Sequence, residues 1–181
     1  LFLGLPPARV RTALHDLRFS NTDVRAATRL AEHWTTLFAP MSAALCTASP
    51  PSNATIRRWT AATTRTQLAP FLRLAEARWA AMRAAGVGAP SAEHVASAYR
   101  RALRIAYRDP IELADLAVDG EDLQRDGIAR GPALGKILRA LLEWVVEDPS
   151  RNVREELLRR AASLAAEIER ASGDVPGAEE R

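Results

Sequence analysis

Hydrophobic positions along the chain recur mainly at spacings of three and four residues, as expected of helices that bury one face. The clearest stretch covers 67–85, and further stretches follow Val24, Val95, Leu134 and Val153. Glycine, proline, serine and asparagine separate these stretches, and those residues favour turns and helix ends. Valine, isoleucine and aromatic residues, which prefer strands, are scarce. The pattern therefore predicts an all-α protein built from several amphipathic helices.

Four polar residues stand where helices should begin. Ser20, Ser52 and Ser91 each precede a helical pattern. A serine at that place accepts a hydrogen bond from a free backbone amide of the first turn. Asn152, with Glu155 three residues later, predicts the same kind of start for the last helix.

Proline predicts where helices end. Pro40 should stop the second helix, because proline lacks an amide proton and its ring clashes with the preceding turn. The same reasoning at Pro110 divides the chain. We expect a multi-helix body subdomain, truncated at its N-terminus, over 1–109, a smaller helical tail subdomain over 110–172, and a disordered C-terminus over 173–181.

The composition fits a folded globular protein, since 48% of the residues are hydrophobic and 26% are charged. No apolar run reaches about 18 residues and no secretion signal opens the chain, so we expect a soluble, cytoplasmic protein with no membrane partner. The chain begins at Leu1 in the middle of an apolar phrase, as expected of a fragment of a longer protein. The lone Cys46 can form no internal disulfide and is weak evidence for a nucleophile.

Charge is distributed unevenly along the chain. Residues 1–90 hold eleven arginines against four acidic residues, whereas 91–181 hold thirteen arginines and one lysine against eighteen acidic residues. The overall charge of +3 thus combines a basic front with an acidic back. A basic front can meet an anionic polymer. The alternative is an ordinary solvated surface in a protein that uses arginine rather than lysine.

Arginines four residues apart should form a continuous line on the predicted helix that begins after Ser91. This arginine stripe consists of Arg100, Arg104 and Arg108, with Arg101 beside it. A stripe of this kind can follow a phosphate backbone, and the alternative is a solvated face with acidic partners such as Glu112. Tyr99 and Tyr107 are close enough to stack on bases, although Tyr99 falls on the apolar face and is better explained as core.

The strongest chemical feature of the sequence, and another candidate for phosphate contact, is the Gly131 turn, which comprises 130–132. Proline fits the first position of a helix, and the glycine before it lets the backbone approach a ligand closely. Arg130, Lys136 and Arg139 could add positive charge there. The alternative is a tight hairpin that joins two tail helices, and the residues alone leave both interpretations open.

Two phrases carry a more specific signal. The first is LRFSN at 17–21, and the second covers 115–158, including GPALGKIL at 131–138 and EDP at 147–149. Both phrases resemble the body and tail of the bacterial tRNA nucleotidyltransferase and poly(A) polymerase family, the CCA-adding enzymes and their relatives. The longer of the two matches is the specific one.

The resemblance implies an all-helical body and tail that grip tRNA away from the active site. In that family an N-terminal catalytic head, which we do not expect in this chain, holds two metal ions with an Asp-x-Asp pair. No Asp-x-Asp occurs in the sequence. The resemblance therefore implies no cofactor, no metal and no catalytic residue here, while the head of the parent enzyme would use magnesium and CTP or ATP.

Two acidic motifs invite comparison with metal sites. His15-Asp16 is similar to part of a metal-dependent phosphohydrolase site, but such a site needs more ligands, and His33 and His94 both lie downstream. We interpret the pair as a surface dipeptide at the end of a helix. The acidic residues of 119–121 come nearest to an Asp-x-Asp pair, and helix capping and turn formation explain both of them.

The sequence thus predicts a tRNA-binding body and tail fragment of a CCA-adding or polyadenylating nucleotidyltransferase, which recognises tRNA or another structured RNA by its shape and backbone. The predicted RNA-binding residues are Arg100, Arg101, Arg104, Arg108, Arg130, Gly131, Lys136 and Arg139. The alternative is a non-catalytic protein-interaction or dimerisation module, which would form a homodimer or bind partner helices.

Overall fold

The computed structural model describes residues 4–173, and within that range it contains seven α-helices, two short 3-10 turns and no strand. The all-α prediction is confirmed. The helices are α1 (Pro7–Asp16), α2 (Asn21–Leu45), α3 (Asn53–Ala84), α4 (Ala92–Arg108), α5 (Gly120–Arg125), α6 (Pro132–Glu147) and α7 (Arg154–Gly173). Of the terminus predicted to be disordered, all but Gly173 lies outside the described residues.

The chain divides into two compact units, Leu1–Asp109 and Pro110–Arg181. In the first unit the largest buried side chains are Leu45, Ile56, Phe71 and Trp79. The indole nitrogen of Trp79 donates to the Ser42 hydroxyl at 2.7 Å, so its polar atom is satisfied inside that core. The second unit buries a separate cluster formed by Leu116, Val118, Leu123, Ile137, Leu141, Val145, Leu157 and Ala161.

The turn between α1 and α2 is fixed by backbone hydrogen bonds. The Phe19 amide donates to the Leu14 carbonyl at 3.0 Å, and the Arg18 amide donates to the His15 carbonyl at 2.9 Å. This pair of bonds ends a helix with one residue in the left-handed conformation, usually glycine. Here that residue is Arg18, with φ of 59°. The two helices are therefore joined by a short, defined turn rather than a loose loop.

The three serine caps predicted from the sequence are confirmed. Ser20, Ser52 and Ser91 immediately precede α2, α3 and α4. Their hydroxyl oxygens accept hydrogen bonds from the amides of Asp23, Thr55 and His94, at 3.2, 3.1 and 3.1 Å. Because each cap joins residues only three apart, it can form wherever the local sequence provides it.

The prediction that the second helix ends before Pro40 is wrong, since α2 continues through Pro40 to Leu45. Pro40 cannot bond to the carbonyl of Thr36, four residues earlier. Both residues are exposed, so water can hydrate that carbonyl. Met41 and Leu45, beyond the proline, are buried, and their burial favours continuing the helix.

Helix α3 is two helical segments joined at Thr64, where φ is 62° and ψ is 160°. Arg65 follows the kink and donates from Nε to the Ala106 carbonyl at 2.7 Å and from Nη2 to the Asp109 carbonyl at 3.3 Å. These bonds satisfy carbonyls at the end of α4, which a helix otherwise leaves free. The kink at Thr64 thus places the Arg65 side chain at the C-terminus of α4.

In the second unit Asn152 does not cap the last helix as predicted. Helix α7 begins at Arg154, and the Asn152 side chain contacts the segment before α5 instead. Its Oδ1 accepts from the Ala117 amide and its Nδ2 donates to the Asp115 carbonyl, both at 2.8 Å. The amide side chain therefore connects two loops that lie 35 to 37 residues apart in sequence.

Within residues 4–173, no helix is both long enough and apolar enough to cross a membrane.

Candidate nucleic-acid interface

The arginine stripe lies on the face of α4 opposite its buried side. The buried side consists of Val95, Ala98, Ala102, Ile105 and Ala106. Arg100, Arg104 and Arg108 are exposed, and none of them makes a hydrogen bond or an ion pair with a residue that the structure describes. The helix therefore presents a line of free guanidinium groups to solvent.

Arg101 was predicted to bind RNA with the stripe, but the structure gives its side chain an intramolecular partner. Its Nε and Nη2 donate to Oδ1 of Asn53, at 3.1 and 2.7 Å, and the residue is half-buried. Asn53 is the first residue of α3. Arg101 thus connects the start of α3 to α4 and is separated from the three exposed arginines.

The acidic residue closest to the stripe in sequence is directed toward other arginines. Oδ2 of Asp109 lies 3.5 Å from Nε of Arg57, which is buried, and the Asp109 carbonyl accepts from Arg65. A carboxylate held by buried Arg57 does not neutralise the exposed stripe. The end of α4 therefore keeps a positive outer surface.

The two tyrosines near the stripe differ in exposure. Tyr107 is 85% exposed and lies three residues after Arg104, which places the two side chains on the same side of the helix. Tyr99 is half-buried and lines an internal cavity of the core, in agreement with its interpretation as a core residue. An exposed aromatic ring beside arginines can stack on an unpaired base.

In the second unit the Gly131 turn precedes α6 directly. Gly131 has φ of 156°, and a Cβ atom built on it would have nothing within 4 Å, so the space in front of this turn is open. Arg130, Lys136 and Arg139 are exposed and make no hydrogen bond or ion pair with described residues. Lys136 and Arg139 follow Pro132 by four and seven residues and so share one side of α6.

The two candidate surfaces lie in units of opposite charge. Residues 1–109 carry fifteen arginines against six acidic residues, whereas 110–181 carry nine arginines and one lysine against sixteen acidic residues. A polyanion approaching the Gly131 turn therefore meets repulsion from the rest of that unit. The arginine stripe is the stronger candidate.

Sequence reasoning missed a third basic feature, a groove of about 400 Å³ between α1 and α2. Its lining includes four charged residues, Arg11, Arg25, Arg29 and Glu32, together with His15. A usable signal was present, because Arg11 and His15 stand four residues apart, and so do Arg25 and Arg29. Each pair therefore shares one side of its own helix, and the defined turn at Arg18 brings the two helices together.

The acidic motifs considered for metal binding have other roles or none. Asp119 caps α5 by accepting hydrogen bonds from the amides of Glu121 and Asp122, at 2.8 and 2.9 Å, as the capping interpretation predicted. His15 and Asp16 are exposed at the end of α1. Across the described part of the chain, no three histidine, cysteine or acidic residues lie close enough to hold a metal ion together.

A model of the family described as tRNA nucleotidyltransferase domain 2 matches residues 1–161. The matched range contains the arginine stripe, the Gly131 turn and the groove between α1 and α2. No curated protein and no solved structure matches this chain.

Proposed function

The chain belongs to the tRNA nucleotidyltransferase domain 2 family, and we propose that it is the tRNA-binding body and tail of a CCA-adding or polyadenylating nucleotidyltransferase. In this function the chain holds the RNA, while a catalytic head outside it adds nucleotides to the 3′ end. The observation that carries the proposal is the arginine stripe, whose three guanidinium groups have no partner among the described residues.

The stripe has dimensions suited to a nucleic-acid backbone. With a rise of about 1.5 Å per residue, Arg100 and Arg108 lie about 12 Å apart along α4, with Arg104 between them. Each guanidinium can donate two hydrogen bonds to one phosphate and displace a condensed counterion. Such contacts recognise the position and shape of the backbone and carry little information about its sequence. That behaviour suits a protein that must accept many different tRNAs.

Tyr107 adds a contact of another kind at the end of the stripe. Its exposed ring can stack on a base that is unpaired, while the neighbouring arginines hold the phosphates. In the second unit, Lys136, Arg139 and the open Gly131 turn supply a weaker phosphate contact, because the acidic charge of that unit opposes it.

The described residues, 4–173, do not fit the two metal ions that nucleotide transfer requires. The described residues contain no cluster of three metal-binding side chains, Asp119 and Asp122 form the capping box of α5, and Glu121 pairs with Arg125. We therefore assign magnesium and CTP or ATP to the head of the parent enzyme, and assign to this chain only the binding and orientation of RNA.

The test is tRNA binding by the chain as a function of salt. The affinity should fall linearly on a double logarithmic plot, since binding to phosphates releases counterions. The double variant Arg100→Glu/Arg104→Glu should bind roughly tenfold more weakly or worse, and its salt slope should be smaller by about two.

The matched control is Arg73→Glu/Arg78→Glu, which makes the same change in net charge at two exposed arginines of α3. The control should lose much less affinity than the stripe variant. Equal losses would show that only the net charge matters, and an affinity insensitive to salt would favour the alternative of apolar association with a protein partner.

A further inference from the structure

We infer that the groove between α1 and α2 is a binding site for linked phosphate groups, distinct from the arginine stripe. Three guanidinium groups line it, Arg11 from α1 and Arg25 and Arg29 from α2, together with His15 and Asn21. Its volume of about 400 Å³ exceeds what one small ion needs and falls within the range of about 300 to 1,000 Å³ that is usual for ligand sites.

The charges of the groove are not neutralised inside the protein. Arg11, Arg25 and Arg29 are exposed, and none of them makes a hydrogen bond or ion pair with any residue in 4–173. Glu32 also lines the groove, three residues after Arg29, yet its carboxylate forms no ion pair with described residues. An anion that enters would therefore meet three available guanidinium groups and a single carboxylate.

The arrangement of these side chains costs helix stability when no ligand is present. Arg25 and Arg29 are four residues apart on α2, and like charges at that spacing destabilise a helix. Beneath them the framework is packed, because Val10, Leu14 and Val24 form a buried cluster. Arginines that repel one another while their helices are fixed by packing do not stabilise the fold. They are expected of a preorganised site that binds an anion.

The chemistry favours phosphate over a single carboxylate. A guanidinium group offers two parallel N–H donors, which match two oxygens of a phosphate. Along each helix the side chains of Arg11 and His15, and of Arg25 and Arg29, are four residues or about 6 Å apart, so that successive anionic groups of one ligand can be bound by successive side chains. Both a nucleic-acid backbone and a free polyphosphate, including the tail of a nucleotide, provide such linked groups.

The experiment titrates the full chain with inorganic tripolyphosphate in a calorimeter. The variant Arg25→Ala/Arg29→Ala should bind the probe at least tenfold more weakly than the natural chain, and its melting temperature should be equal or higher. The variant Arg100→Ala/Arg104→Ala, which removes the same charge from the stripe, should keep its tripolyphosphate affinity within about twofold. Equal weakening by both variants, or no binding by the natural chain, would overturn the proposal.

Two further titrations identify the source of the phosphates in a site that has passed this test. If an RNA backbone occupies the groove, the Arg25→Ala/Arg29→Ala variant also loses tRNA affinity and tripolyphosphate competes with tRNA. If a free polyphosphate or nucleotide occupies it, tRNA affinity is unchanged and ATP binds in place of the probe. Because the tripolyphosphate measurement contains no RNA, its failure and a failure of tRNA binding at the stripe are separate results.

Discussion

The two units of the molecule use their arginines in different ways. In the second unit Arg125 and Arg154 both bind Asp122, at 2.8 Å each, while Arg151 lies 3.8 Å from Asp148 and Arg160 lies 3.7 Å from Glu167. In the first unit the exposed arginines of α4 and of the groove have no such partners among the described residues. These four arginines of the second unit pair with acidic residues of their own unit, whereas the arginines of the stripe and of the groove remain available to a ligand.

Asp122 shows how far this pairing goes in the second unit. Its carboxylate is only 14% exposed and accepts from Arg154, which links α5 to α7. The hydrogen bond from Arg154, the hydrogen bond with Asp119 and the nearby positive charges hold the pKa of Asp122 well below its usual range. The carboxylate therefore stays ionised at any pH near neutrality, and the pair with Arg154 persists.

The largest expected effect is a loss of stability when the hydrophobic core of the second unit is disrupted. Leu141→Ala removes a fully buried side chain from the second unit and should lower the free energy of unfolding of that unit by about 2–5 kcal/mol. Hydrogen exchange of the α6 amides measures the loss. Leu113→Ala, at a residue that is 44% exposed, is the control and should change stability by no more than about 0.5 kcal/mol.

Two substitutions, at Gly131 and Lys136, test whether the second unit also contacts RNA. Gly131→Val places a β-branched residue at a φ of 156°, and the backbone strain should cost about 1–3 kcal/mol of stability. Lys136→Glu lies on the polar side of α6 and should change stability by no more than about 0.5 kcal/mol, yet reduce tRNA affinity. Melting curves and gel shifts with tRNA separate the two effects. Unchanged RNA binding by Lys136→Glu would leave the turn a purely structural feature.

A smaller effect is expected at the kink of α3 in the first unit. Thr64→Gly should raise stability by about 0.5–1 kcal/mol, since glycine adopts the φ of 62° without the strain that a β-branched residue carries. Thr66→Gly is the matched control, because the two hydroxyls bond to each other at 3.3 Å and either variant removes that contact. The control should lose about 1 kcal/mol, as glycine does within a helix. Equal losses in both variants would contradict the assignment of strain to Thr64.

The smallest expected effect is a dependence of stability on pH. It concerns the first unit, which contains all three histidines. Burial lowers the pKa of His33 from its ordinary value of 6.5, the negative charge of Glu32 opposes this shift, and the positive charge of Arg29 adds to it. The unfolded chain therefore binds the proton more readily than the folded one. The contribution of His33 to stability is complete above about pH 6.5 and declines as the pH falls through that value.

Urea unfolding at pH 7.5 and pH 5.5 measures this effect. Three of the four tryptophans lie in the first unit, and a Trp144→Phe background makes fluorescence report on that unit alone. His33→Gln should reduce the loss of stability between the two pH values. An identical loss with glutamine at this position would assign the pH dependence to other groups.

Local sequence determined the elements whose interactions span a few residues. The serine caps join residues three apart, and glycine at the end of α3 and at the Gly131 turn supplies the backbone conformations that proline and branched residues cannot. The amphipathic pattern of α4 likewise predicted which of its faces is buried and which carries the arginine stripe. These features follow from hydrogen bonding and burial within single helices, which periodicity and residue type express directly.

Tertiary structure decided the features that depend on distant residues. Burial of Met41 and Leu45 favours the continuation of α2 past Pro40. The Arg101 side chain donates to Asn53, and the Asn152 amide bonds to Ala117 and Asp115 instead of capping a helix. The groove between α1 and α2 needed the angle set at the Arg18 turn, which the spacing of arginines does not contain. In each case a local preference competed with contacts made by residues distant in sequence, and only the packed structure resolves that competition.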